Sequence, residues 1–151
     1  MNGKTLVILL FVSGVIASCG GDEGDASDGA AARPTASPPV EIALEPKHRS
    51  PATGTATLAP GDAALKVTLT VDTRVQGTLL AHIHTGPCSD EPTYSNPRIW
   101  ANLTDVIDGG SETTVNVVTL KELQSEASSI NVHDPTHGNR TLVCGDIPRA
   151  G

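Results

Sequence analysis

Two histidines one residue apart, His82 and His84, carry the strongest chemical signal in the chain. On an extended strand, alternate residues share a face and lie about 7 Å apart. Two imidazoles so placed can converge on one metal ion. Leu79, Ala81 and Ile83 then point the other way, into a core. The same alternation along Ile130-Asn131-Val132-His133 sends Ile130 and Val132 inward and leaves Asn131 and His133 on the outer face. His82, His84 and His133 thus fall on outward faces of strands that could be neighbours. A metal there would lie on a barrel wall, roofed by loops. His137 is a further candidate ligand. Its spacing from His133 is that of a helical metal pair, but Pro135 disfavours a helix, so His137 would have to act from a loop. His48, between Lys47 and Arg49 and close to the N-terminal tether, reads as solvated.

The cysteines divide by role. Met1-Asn2-Gly3-Lys4 brings one positive charge, and Leu6 to Ala17 is apolar but shorter than the roughly 20 residues a membrane-spanning helix needs. A positive start followed by a short apolar run is a signal-peptide core. It ends at Ile16-Ala17-Ser18-Cys19, which looks like a lipobox, with Cys19 as the lipidated residue. The expectation is an exported bacterial lipoprotein, anchored to a membrane through Cys19. Gly20 is not the aspartate that retains many lipoproteins in the inner membrane, so the outer membrane is the favoured address. Cys88 and Cys144 remain, an even pair in an oxidising compartment, and are predicted to form a disulfide.

Three segments follow: residues 1–18 as signal peptide, 19–40 as a disordered tether and 41–151 as one β domain. The tether has no large apolar residue before Val40 and cannot bury enough surface to offset its ordering entropy. As a flexible coil it would span roughly 25 Å.

From Val40 onward the elements that must position the histidines read as strands. Leu65 to Val71 alternates apolar and polar residues with period two. Val40 to Leu44, Gly54 to Leu58, Gly77 to Thr85, Ile99 to Leu103, Thr113 to Thr119, Ser129 to His133 and Thr141 to Cys144 are the other candidates, separated by Gly- and Pro-rich turns. Leu120 to Ala127 is the one plausible helix. Seven to eight short strands without βαβ alternation predict an all-β Greek-key sandwich or flattened barrel. Its core must be aliphatic.

Charge and composition exclude some functions. Beyond Cys19 there are nine basic residues against 17 acidic ones, a net charge of 9 − 17 = −8. Nucleic-acid binding needs Lys and Arg to displace counterions. It also uses stacking aromatics, and only Tyr94 and Trp100 are present beyond Cys19. No nucleophile elbow, phosphate-cradling loop or His-Glu-x-x-His is present. The sequence identifies no protein partner.

Ala81-His82-Ile83-His84-Thr85-Gly86-Pro87-Cys88 resembles the copper-binding strand of the copper/zinc superoxide dismutases, ending at the first disulfide cysteine. Ile130 to Asp134 resembles that family's strand with the last copper histidine. Gly138 to Ile147 resembles its closing segment with the second disulfide cysteine. The likeness spans about residues 41 to 148, and small CHRD-type domains carry a similar Ala-His-Ile-His strand. The resemblance implies an eight-stranded Greek-key barrel, His82, His84 and His133 as copper ligands, and superoxide as substrate. Zinc is an alternative occupant, because imidazole nitrogen suits both metals.

Two departures matter. Ser89 to Arg98 contains no histidine, where the family has its bridging and zinc histidines, so the zinc site is expected to be missing. The family also has an arginine three residues before the final cysteine. Thr141 stands there, and Arg140 could take that role only if residue 140 still belongs to the loop. These departures predict weak dismutation or none; the alternatives are a module that stores or delivers copper, and a structural CHRD-like β domain whose histidines are only surface residues.

Overall fold

A computed structural model describes residues 37–90 and 98–151. The expected signal peptide, Cys19 and most of the expected tether lie outside the described residues, as does most of the histidine-free stretch before Arg98. Eight antiparallel strands form one sheet in the order β5-β4-β7-β8-β1-β2-β3-β6, which curls into a nearly closed barrel. They are β1 (Val40–Pro46), β2 (Thr53–Pro60), β3 (Leu65–Asp72), β4 (Leu80–Thr85), β5 (Ile99–Asn102), β6 (Gly110–Val115), β7 (Ser128–Asp134) and β8 (Arg140–Asp146). The pairings β3–β6 and β4–β7 skip over intervening strands, which makes the crossovers of a Greek-key arrangement. The predicted all-β class and strand number are therefore observed.

β1 joins the two halves. Its residues Val40 to Leu44 pair with β2, and Glu45 and Pro46 pair with β8. β3 shows why the alternation is informative. Leu65, Val67, Leu69 and Val71 are buried, and the residues between them are exposed. Burying such side chains contributes roughly 1.5–3 kcal/mol each. The core is aliphatic, built from Leu, Val, Ile and Ala, with Trp100 packed partly against it.

Some boundaries differ from the sequence reading. The expected strand Thr113 to Thr119 ends at Val115, and Val117 is 70% exposed. Thr119 instead caps helix α1 (Leu120–Ser125). Its hydroxyl accepts from the Glu122 amide while the Glu122 carboxylate accepts from the Thr119 amide. This reciprocal capping box satisfies free helix-end donors and outweighs the strand preference of a Thr/Val run. β4 begins at Leu80 rather than Gly77, because Gly77 turns through a positive φ of 97°.

Candidate metal centre

The three strand histidines are brought together. β4 and β7 are paired, with His82 opposite Asn131 and His84 opposite Ser129. His133 lies two residues further along the same face of β7. The ring centroids of His82, His84 and His133 are 5.5, 5.3 and 5.6 Å apart in the three pairings. One ligand atom from each lies within 4.8 Å of the others. Nitrogens about 2.0–2.1 Å from one ion are at most about 4.2 Å apart, so small side-chain rotations close the group around a metal.

The face on which they stand is not a solvated one. Every residue of β7 is buried, on both faces of the strand. His84 is 6% and His133 4% exposed, and His82 is half-buried. Burial has two consequences. It leaves His82 Nδ1 and His133 Nε2 without a hydrogen-bond partner among the described residues. Native interiors leave few such atoms, and each calls for a reason. It also favours the neutral imidazoles. Burial pushes the His133 pKa down to about 4, aided by the neighbouring His82 and His84 and opposed by the Asn139 carbonyl. His82 is lowered by burial too, against the pull of the Asp105 carboxylate. A neutral imidazole is the form that binds metal.

The orientation of His133 is fixed by the turn between β7 and β8. Its Nδ1 lies 3.1 Å from the carbonyl oxygen of Asn139 and 3.2 Å from the Thr141 hydroxyl. A carbonyl can only accept, so Nδ1 carries the proton and Nε2 keeps its lone pair. Gly138 and Asn139 both adopt left-handed conformations, which delivers that carbonyl. Metal-ligating histidines use this same outer hydrogen bond to set tautomer and ring direction.

The chain matches no protein-family model, no curated protein and no solved structure.

The Cys88–Cys144 disulfide is present, with its Cα atoms 5.9 Å apart. It ties the segment after His84 to β8. The Cys88 amide also donates to Asp146 Oδ1 at 2.6 Å, and Lys47 Nζ donates to the Cys88 carbonyl at 2.9 Å. The end of the histidine strand is thus held on three sides.

The remaining candidates stand apart from the three-histidine group. His137 ends a short 3-10 turn, Pro135–His137, and its Nδ1 meets Asp134 Oδ2 at 2.6 Å. Arg140 is the first residue of β8, opposite Asp134, and is exposed. It is in the strand rather than the loop, and Thr141 is the residue that touches His133. His48 forms the β1–β2 turn with a left-handed φ of 52°.

Sequence reasoning did not identify Asn139 or Asp134 as supports. The Gly138-Asn139 pair was the available signal, since both residue types tolerate a left-handed turn.

Proposed function

We propose that this chain is a copper-binding lipoprotein of the bacterial envelope, related to the copper/zinc superoxide dismutases but without their zinc site. His82, His84 and His133 would hold the copper. The observation that carries the reading is a trio of histidines, two buried and one half-buried, with one ring nitrogen of each within 4.8 Å of the others. Neutral imidazoles suit copper and zinc alike, and copper(II) is favoured on intrinsic affinity. The order of the Ala-His-Ile-His strand, the two cysteines and the late Val-His supports the kinship, as does the eight-stranded Greek-key sheet.

A copper ion bound here would supply one-electron chemistry able to convert two superoxide ions to oxygen and hydrogen peroxide. The chain's own residues would hold three nitrogens in place, keep them unprotonated and restrict water around them. The disulfide would keep the flanking segment from drifting. Protons would come from solvent, because no bridging histidine is available between Ser89 and Arg98. That same gap favours a second reading, in which the site stores or delivers copper without turnover.

Alanine at both His82 and His84 is expected to abolish copper binding. Unchanged copper stoichiometry in that variant would refute the site. Rapid superoxide decay that requires copper and these histidines would mark an enzyme; slow, copper-independent decay would mark the carrier. Lipid on Cys19, read by mass spectrometry of the protein from membranes, tests the address.

A further inference from the structure

The turn that orients His133 also holds a second imidazole, that of His137. Asp134 is fully buried, at 0% exposure. An ionised carboxylate in such a place is costly unless its oxygens are satisfied. Oδ1 accepts from the Thr136 amide at 2.9 Å and from the Thr136 hydroxyl at 2.5 Å, which closes the local turn. Oδ2 is not needed for that closure. It takes the Nδ1 of His137 at 2.6 Å. The Thr136 hydroxyl has its hydrogen on Asp134, so it too can only accept from His137 Nδ1, 3.0 Å away. Both contacts require the proton on Nδ1. The lone pair of His137 is therefore on Nε2. The side chain is 67% exposed, against 1% for Asp134.

A carboxylate holding the Nδ1–H of an imidazole is the arrangement that metal-ligating histidines use to raise basicity and fix direction. His133 and His137 are four residues apart, each clamped through Nδ1 by the same turn. One is buried in the histidine group; the other stands in water. His84 and His133 are almost sealed from solvent, so an ion bound there must shed its water. Exchange proceeds more readily when a first protein ligand replaces one water at the surface before the rest are lost.

We propose that His137 is the entry ligand for copper. Its Nε2 captures the hydrated ion, and the ion then passes to His82, His84 and His133. The capture forms one copper–nitrogen bond and releases one water; no electron is transferred. His137 is thus a loading site, not a fourth ligand of the buried centre. This inference rests on the proposed copper reading.

The test is the rate of copper(II) uptake by the metal-free full-length protein. The reporter is quenching of Trp100, the single tryptophan, on the strand beside His82 and His84. His137→Ala is expected to slow uptake about tenfold at limiting copper, while final stoichiometry and the electron paramagnetic resonance spectrum stay those of the parent. Asp134→Asn, which loosens the same imidazole, should slow uptake in the same direction. Parental uptake rates in His137→Ala would overturn the inference, including when that variant only melts earlier. An altered copper spectrum would also overturn it, by making His137 a ligand of the buried centre. If the parent protein takes up no copper, the site reading fails first and this inference falls with it. Copper binding with unchanged kinetics refutes the entry role alone.

Discussion

The Nδ1 of His133 donates to the backbone carbonyl of Asn139 across 3.1 Å. This bond links a turn to the tautomer of a buried histidine, and with it to whether Nε2 can face a metal. The turn reaches that carbonyl only because Gly138 adopts φ 69° and Asn139 φ 57°.

Gly138→Ala tests the link. No heavy atom lies within 4 Å of the place a Cβ would occupy, so the only penalty is backbone strain. A loss of about 1 kcal/mol in stability is expected, with copper affinity down about tenfold as the carbonyl shifts. Gly77→Ala is the control. It has φ 97°, the same open space, and no contact with the histidines. It should lose stability without losing copper. Equal copper affinity in both variants would show that the turn does not orient His133.

The buried histidines make the metal-free protein sensitive to mild acid. His133 titrates near its ordinary 6.5 in the unfolded chain but only at about 4 in the fold. Between these values the unfolded chain binds more protons, so stability rises with pH. The contribution is fully present above 6.5 and is lost as pH falls through about 4. It is on the order of 3 kcal/mol. Asp134, held below its ordinary 3.8 by the Thr136 hydroxyl and then by His137, acts in a separate and more acidic window. Urea unfolding from pH 7.5 to 4 should show the slope. His133→Gln should flatten it, and an unchanged slope would place the sensitivity elsewhere.

How far these features were legible in the sequence follows from their chemistry. The period-two pattern of Leu65 to Val71 was decisive, because one face packs and the other is wet. His82 and His84 were legible as a pair because alternate residues of a strand share a face, although that face is not the wet one. The burial of β7 on both faces was not, since Ser128, Asn131 and Asp134 look like surface residues. Their polar groups are partly satisfied within the strand and its turn, as in the 3.1 Å bond from Asn131 to Ser129. The Asn139 contact uses a backbone oxygen, which no side-chain pattern announces. The end of β6 was misplaced because Val117 has strand-like chemistry but sits just before a helix cap.

The capping box gives an independent check on α1. Thr119→Ala removes a hydroxyl that accepts from the Glu122 amide at 3.2 Å. It should cost about 1 kcal/mol, read from thermal or urea unfolding. A neutral change would mean that packing of Leu120 and Leu123 alone holds the helix.

Replacing both Cys88 and Cys144 by serine opens a loop of 56 residues. A stability loss of roughly 4 kcal/mol is expected on chain entropy. Copper affinity should fall as well, because the segment after His84 would lose its covalent tie to β8, leaving hydrogen bonds such as those of Cys88 to Asp146 and Lys47 to hold it there. Full copper affinity in the serine variant would separate the disulfide from the site.

The most direct test of the central claim is the metal content of the protein after exposure to equimolar copper(II) and zinc(II), with electron paramagnetic resonance of the product. The account predicts one copper per chain, a nitrogen-rich tetragonal spectrum, and loss of both when His82 and His84 are replaced by alanine. No stoichiometric copper, or copper kept by that variant, would contradict it and leave the three histidines as a packing feature of the β4–β7 wall.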